Sequence, residues 1–183
     1  GLVNASSEAG TGGSWLIDPG NVVIRNLLPG ESASSELVDV NSVNTSLSSG
    51  SSIIVQTAEG NNDYSLTVQD AIQKTGGSDS TLTLKATGDV NIGADVQNTS
   101  TVGKLNVMIV SDTNHLAGGS VNVGAGKHIE TLGGNVNIGG GLVMGGVGFA
   151  NSQSLGVAGI TIGSGAVIDT SDSSGTTGGN GEM

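Results

Sequence analysis

Three nearly identical pentapeptides decide the fold: DVNIG at residues 89–93, SVNVG at 120–124 and NVNIG at 135–139. In each of them, two apolar residues flank one asparagine and a glycine follows. This alternation is typical of a β-strand that buries one face. Stacking the three segments would place like residues above one another, as aliphatic columns and asparagine ladders. We therefore expect inward side chains at Val121, Val136 and Ile138. Asn122 and Asn137 should point outward or into such a ladder.

The same alternation recurs along the chain. The ten candidate strands are residues 22–24, 37–40, 53–55, 66–68, 82–84, 90–92, 105–107, 121–123, 136–138 and 160–162. The first residues of the strands from Val90 to Val136 lie 15, 16 and 15 positions apart. Strands this short are stable only when they stack on like neighbours. The spacing predicts an all-β chain folded as a right-handed parallel β-helix, a solenoid of roughly 20 residues per turn and on the order of 40 Å long.

Two competing structures are disfavoured. Asn-Gly and Asp-Gly pairs at hairpin spacing are scarce between the candidate strands, which argues against a β-sandwich. No helix is expected, because the best window, residues 68–74, reads equally well as strand, corner and strand. We divide the chain into a flexible lead (1–12), a parallel β-helix domain (13–169) and a flexible tail rich in Gly, Ser and Thr (170–183).

Composition narrows the function further. The 183 residues include 33 Gly and one each of Trp, Tyr and Phe, which suits a thin core walled by β-branched residues. The net charge of −11 would repel nucleic acid and anionic membranes, so we expect neither nucleic-acid binding nor membrane insertion. Without cysteine there is no disulfide framework. The chain opens without a signal-peptide pattern, so we expect an internal or processed piece of a longer exported protein.

Five segments carry a resemblance to a known family. In chain order they are WLIDP at 15–19 followed by NVVI at 21–24, SSGSSIIVQT at 48–57, TLTLKA at 81–86, GKLNV at 103–107 and GGNVNIGGG at 133–141. Over roughly residues 13–170 the chain resembles the large exoproteins of two-partner secretion, the filamentous haemagglutinin-like adhesins.

This resemblance implies a secreted protein of the bacterial cell surface, with a long β-helical shaft used for adhesion, aggregation or display of a terminal effector. The implied partners are an outer-membrane transporter for the full-length protein, and a receptor or glycan on a host or neighbouring cell. The chain departs from the part of such proteins that engages the transporter. We therefore expect a shaft segment with a structural role.

A rival function for the chain is that of a polysaccharide lyase or hydrolase of β-helix type. Such enzymes hold calcium with clustered aspartates and abstract a proton with a basic residue. Asp89, Asp95 and Asp112 are the candidate carboxylates. The basic residues are scattered along the chain: Arg25, Lys74, Lys85, Lys104 and Lys127. We therefore predict no catalytic residue, no metal site, no cofactor and no enzymatic activity.

Other residues admit a functional and a structural interpretation. His115 and His128 could form a metal pair, although no cysteine or carboxylate cluster completes a coordination sphere. Trp15 is expected to pack against the first strands, and Asp18 to form an Asx turn before Pro19. The sequons are at Asn4, Asn44 and Asn98. A second rival, a repetitive face that binds carbohydrate or ice, would need a regular Thr-x-Thr array, but only residues 81–83 provide one.

Overall fold

The computed structural model describes residues 14–17, 20–34, 36–114, 118–140, 159–172 and 181–182. Within these ranges the chain forms sixteen short strands and one helix. The strands form three sheets, and all of the strand pairs in them are parallel. The expectation of an all-β chain is confirmed at this level.

The strands are distributed among three sheets, A, B and C, in a regular order. Sheet A contains β1 (Ser14–Ile17), β4 (Ser52–Gln56), β7 (Ser80–Lys85), β10 (Leu105–Ser111), β13 (Val136–Gly140) and β16 (Gly181–Glu182). Sheet B contains β3 (Leu37–Asp39), β2 (Val22–Arg25), β5 (Leu66–Val68), β8 (Val90–Ile92), β11 (Val121–Val123) and β14 (Ile160–Ile162). Sheet C contains β6 (Ile72–Lys74), β9 (Val96–Asn98), β12 (His128–Glu130) and β15 (Val167–Asp169).

From β4 onward the chain visits sheets A, B and C in turn, so each strand pairs with the strand three elements later. We call one set of three consecutive strands a layer. The segments between strands are the A–B, B–C and C–A corners. Sheets A and B have six strands each, and at ~4.8 Å per strand they extend about 24 Å, less than the length expected from sequence.

All ten candidate strands form, although the one predicted at 37–40 ends at Asp39. The interpretation of their spacing was wrong. Val90 pairs with Val121 in sheet B, as the likeness of their pentapeptides predicted, but the two lie 31 positions apart and not one turn of roughly 20 residues. Val136 pairs instead with Val107 in sheet A. The 15-residue spacing is therefore half of the repeat, and successive segments alternate between two sheets. NVNIG does not lie above the other two pentapeptides.

The core is a single cluster of buried aliphatic side chains. Val121 and Ile138 are 0% exposed and Val136 is 1% exposed, which confirms the predicted inward direction. Sheet C contributes one inward aliphatic side chain from each strand: Ile72, Val96, Ile129 and Ile168. The first three are fully buried, whereas Ile168 in β15 is only partly buried.

A helix, α1 (Val40–Ser48), corrects the expectation that the chain has none. The Asp39 carboxylate caps it by accepting the Asn41 N–H at 3.1 Å, and Val40, Val43 and Leu47 bury the inner face. The helix lies against β6, where another strand of sheet C would pair. Asn44 Oδ1 accepts the Gln73 N–H at 2.8 Å and Ser48 Oγ accepts the Thr75 N–H at 2.9 Å. Helical side chains thus satisfy the edge of a β-sheet.

The C–A corners pack directly on one another. A Cβ added at Gly103 would lie 2.2 Å from the Gly77 carbonyl oxygen of the layer before, and the φ of Gly103 is +70°. Both the backbone conformation and the lack of space require glycine at this position. The layers therefore contact each other at the corners as well as through the sheets.

Two parts of the predicted domain organisation remain predictions. The lead, residues 1–12, lies outside the described residues. In the predicted tail, Gly181 and Glu182 pair with Val136 and Asn137 of β13. No helix among the described residues is long and apolar enough to cross a membrane.

Candidate functional site

Two of the three candidate carboxylates have a structural role. Asp89 Oδ1 accepts the Ser120 N–H at 2.7 Å, and Asp95 Oδ1 accepts the His128 N–H at 2.9 Å. Each aspartate comes directly before a strand, and its donor lies at the start of the strand one layer later. Asp79 Oδ1 binds the Lys104 N–H in the same way at 2.8 Å. These carboxylates accept hydrogen bonds from backbone N–H groups at, or one residue before, the start of a strand in the following layer. They therefore join successive layers.

The candidate carboxylates do not converge on one face. Asp89 and Asp112 lie at A–B corners, whereas Asp95 lies at a B–C corner. Across the described part of the chain, no three His, Cys, Asp or Glu residues come close enough to hold a metal ion. The catalytic set that the lyase or hydrolase interpretation needs is therefore not assembled by these residues.

The basic residues are equally dispersed. Arg25 forms a bidentate ion pair with Glu31, at 2.9 and 2.7 Å, which raises the pKa of the guanidinium and lowers that of the carboxyl. The pair closes the base of the turn between β2 and β3. Lys85 lies on the outer face of sheet A, Lys104 on a C–A corner and Lys127 on a B–C corner.

Lys74 is the unexpected member of this set, because it is fully buried. It ends β6 with its side chain inside the C–A corner, and its ammonium donates to the carbonyls of Gly76 and, at 3.2 Å, Gly77. Burial lowers the pKa of this amine, and the charge of Asp79 opposes that shift. Nothing in the sequence indicated that a polar residue at the end of this strand would be buried.

The next two layers repeat this arrangement with neutral side chains. Asn98, 3% exposed, donates from Nδ2 to the Gly103 carbonyl at 2.9 Å. Thr131, fully buried, donates from Oγ1 to the Gly134 carbonyl at 2.8 Å. In three successive layers a buried polar side chain thus satisfies the loop that follows it. We call Lys74, Asn98 and Thr131 the corner column.

Asp112 differs from the other candidate acids. It is 7% exposed and adopts a left-handed backbone with φ of +51°. Its N–H donates to the Gly88 carbonyl at 3.2 Å, but its Oδ1 is buried and accepts no hydrogen bond. Among the three candidate carboxylates, Asp112 is therefore the one with a buried oxygen that has no hydrogen-bond partner.

The proposed histidine pair cannot be assembled from the described residues, since His115 lies outside them. His128 Nδ1 is 3.0 Å from Glu130 Oε1, and Glu130 Oε2 accepts from Gln97 Nε2 at 3.0 Å. These side chains form a polar surface on sheet C. Trp15 is in backbone register with Ile53, while its own side chain and Asp18 lie outside the described residues.

Two of the three sequons are structurally occupied. The Asn98 amide is buried at the C–A corner. The Asn44 side chain binds the edge of β6, accepting from the Gln73 N–H and donating to the Ala71 carbonyl at 3.4 Å. Asn4 lies outside the described residues. Glycan attachment at Asn98 would require this corner to open.

The outer faces of the sheets have different chemistry. Sheet B presents a column of neutral polar residues: Thr67, Asn91, Asn122 and Thr161. Within it Asn122 Nδ2 donates to Asn91 Oδ1 at 3.0 Å, the ladder predicted from the pentapeptides. Sheet C presents Gln73, Gln97, Glu130 and Asp169. The corresponding column of sheet A is Ile54, Thr83, Met108 and Asn137, of which Thr83 is buried.

The chain matches no protein-family model and no curated protein sequence.

Proposed function

We propose that this chain is a right-handed parallel β-helix and that it serves as a structural shaft segment of a secreted bacterial surface adhesin, not as an enzyme. The observation that carries the proposal is the regular pairing of each strand with the strand three elements later, from β4 to β16. Such a chain gains length by adding layers, because each layer contacts mainly its neighbours.

The contacts of the acidic residues favour a structural role. Asp79, Asp89 and Asp95 each bind a backbone N–H of the following layer. A carboxylate engaged in this way holds two layers in register, and taking up a proton as a general base would weaken that bond. The family resemblance adds the cell-surface setting, the transporter partner and adhesion.

A disulfide test addresses the stacking. The chain has no cysteine, so pairs can be introduced on a clean background. Asn91 and Asn122 are register partners in adjacent strands, at a separation that a disulfide tolerates. We expect the double variant Asn91→Cys with Asn122→Cys to oxidise readily. The control, Asn91→Cys with Asn137→Cys, joins two different sheets and is expected to remain reduced. The opposite result would contradict the layered arrangement.

Single-molecule stretching addresses the shaft role. If layers detach one after another, each event should release a layer of about 30 residues, or on the order of 100 Å of extended chain. A single global rupture would argue against a shaft that yields by layers.

Lyase activity is checked separately, by the ultraviolet absorbance of unsaturated products from acidic polysaccharides. Steady product formation would instead support the rival enzyme function.

The neutral column of sheet B supports glycans as the receptor class. Asn91 and Asn122 offer amide groups spaced by one strand separation, with hydroxyls of Thr67 and Thr161 on either side. Beads coated with the chain should bind cells, and Asn91→Ala with Asn122→Ala should weaken that binding. The matched control is Thr81→Ala on the outer face of sheet A. Equal binding by all three proteins would place any receptor contact elsewhere.

A further inference from the structure

The two ends of the stack of layers differ in how well their core is covered. At one end α1 lies against β6 and buries Val40, Val43 and Leu47. At the other end β14 and β15 are the last strands of sheets B and C among the described residues. Ile162 of β14 is 38% exposed, although its register partner Val123 is 1% exposed. The inward aliphatic column is therefore open to solvent at this end.

The other aliphatic residues of this layer show the same difference. Ile160 is in register with Val121 and Ile168 with Ile129, and both partners are fully buried, whereas Ile160 and Ile168 are only partly buried. On sheet A, β16 already pairs with β13. No described strand pairs with β14 on the side away from β11, or with β15 on the side away from β12. We call these two strand edges the open edge.

The backbone of sheet B indicates what would complete the open edge. In three successive layers the carbonyl of the last strand residue accepts the N–H of the glycine that follows the strand one layer later. The pairs are Val68 with Gly93 at 2.9 Å, Ile92 with Gly124 at 2.9 Å, and Val123 with Gly163 at 2.8 Å. A Cβ added at Gly163 would lie 2.5 Å from the Ala125 nitrogen, so glycine permits this close approach. Ile162 is the last residue of β14, and its carbonyl is the next acceptor in the series.

We propose that the open edge binds an extended segment with the repeat pattern of sheets B and C, which adds one more parallel layer. Such a segment has an aliphatic–polar–aliphatic strand, a glycine, a short corner and a second strand with one inward aliphatic residue. Strand edges bind extended peptides through main-chain hydrogen bonds, and alternate side chains give the specificity. The aliphatic residues of the segment would cover Ile160, Ile162 and Ile168. This inference rests on the layered pairing and does not depend on adhesion.

A second folded copy of the chain fits the open edge poorly. Its opposite end presents α1 where a strand of sheet C would be needed. Asn44 and Ser48 of α1 already accept N–H groups along the edge of β6. Two copies stacked end to end therefore cannot continue sheet C from one to the other. A free segment has no such obstacle, because both of its strands can pair at once.

The test uses a synthetic peptide with the sequence of residues 119–131, which contains β11, the following corner and β12. The fluorescently labelled peptide should bind the wild-type chain saturably, as measured by anisotropy. Hydrogen exchange should slow at the amides of β14 and β15. The peptide variant Val123→Asp should lose binding, since the charge would enter the aliphatic column. The matched peptide Asn122→Asp adds the same charge on the outward face and should keep most of the binding.

A change in the protein locates the binding site. Ile162→Asn should weaken binding of the peptide about tenfold, because it removes an apolar contact of the open edge. The control Val102→Asn changes an apolar residue that is 61% exposed at a C–A corner, and it should leave binding unchanged.

Three results would overturn the proposal. They are no binding at a peptide concentration of about 1 mM, equal binding of the two charged peptides, and equal binding by the Ile162→Asn chain. Concentration-dependent dimerisation in sedimentation that Ile162→Asn abolishes would also overturn it, since a second copy would then cover the edge. An oxidised Asn91–Asn122 pair without peptide binding would leave the layered fold standing and remove only this site.

Discussion

The C–A and A–B corners each bury an ionisable side chain, and they treat it differently. Lys74 is fully buried in the C–A corner, and its ammonium donates to the Gly76 and Gly77 carbonyls. Asp112 is buried at an A–B corner with one carboxylate oxygen unpartnered. The C–A corners are closely similar from layer to layer, so one solution recurs as Lys74, Asn98 and Thr131. The A–B corners differ in length, so the groups facing a given side chain change with each layer. In the C–A corners the three buried polar side chains each find a loop carbonyl, whereas at its A–B corner Asp112 keeps one buried oxygen without a partner.

The largest expected effect tests how closely the C–A corners stack. Gly103→Ala forces a Cβ to 2.2 Å from the Gly77 carbonyl oxygen and should cost more than about 3 kcal/mol of unfolding free energy. The control is Gly126→Ala at a B–C corner, where φ is a similar +65° but the space is open. That change should cost about 1 kcal/mol, from the backbone alone. Denaturant unfolding measures both, and equal losses would mean that the corners are not in contact.

The second prediction concerns the lysine of the corner column. Lys74→Ala removes the donor to two loop carbonyls and leaves a void, so we expect a loss of about 3 kcal/mol. Lys74→Met keeps most of the packing and should lose less. Lys104→Ala changes an exposed lysine of the same type of corner and should stay within about 0.5 kcal/mol. Urea unfolding of the three variants separates the hydrogen-bond contribution of Lys74 from its packing contribution. An unchanged unfolding free energy in Lys74→Ala would mean that the corner column does not stabilise the fold.

Asp112 should respond in the opposite direction. Asp112→Asn removes the charge of a carboxylate with an unpartnered buried oxygen and supplies an amide donor. We expect its unfolding free energy to be unchanged or higher by up to about 1 kcal/mol. The measurement is denaturant unfolding of the variant beside the wild-type chain. A loss as large as that of Lys74→Ala would show that the carboxylate is a structural group like the lysine.

The smallest expected effect is a dependence on pH. Because burial lowers the pKa of Lys74 in the folded chain, the unfolded chain binds more protons between that pKa and the ordinary value of 10.5. Stability conferred through this group should therefore rise with pH across that window. Wild-type unfolding free energy should increase relative to Lys74→Met as the pH rises toward 10.5. Identical slopes for the two proteins would mean that the amine titrates alike in both states.

The ten predicted strands are all six strands of sheet B and four of the six of sheet A, but none of sheet C. In strands such as β8, two inward aliphatic residues flank an outward residue, here Asn91. This alternation is the pattern by which these strands were predicted. In sheet C, β9 carries Val96 as its single inward aliphatic residue, beside Gln97 and the inward Asn98. Because the corner column replaces the second aliphatic residue with a polar one, the alternation disappears. The missing sheet also explains why half of the repeat was taken for the whole.

The helix was missed for a related reason. α1 is composed of Val, Asn, Ser, Thr and Leu, residues of modest helix propensity apart from Leu47. Its signals were nevertheless present, since Asp39 is a strong N-cap residue and Val40, Val43 and Leu47 recur at helical spacing. The roles of Asp89 and Asp95 could not be predicted, because their donors are backbone groups 31 and 33 positions away.

The position of α1 has a consequence for how the chain folds. Asn44 and Ser48 already bind the N–H groups on one edge of β6, so a new strand of sheet C can join only at the other edge. Helices and short-range contacts form faster than pairings between distant strands. We therefore expect assembly to begin near the helix and to proceed in one direction, toward β15, as each completed layer templates the next.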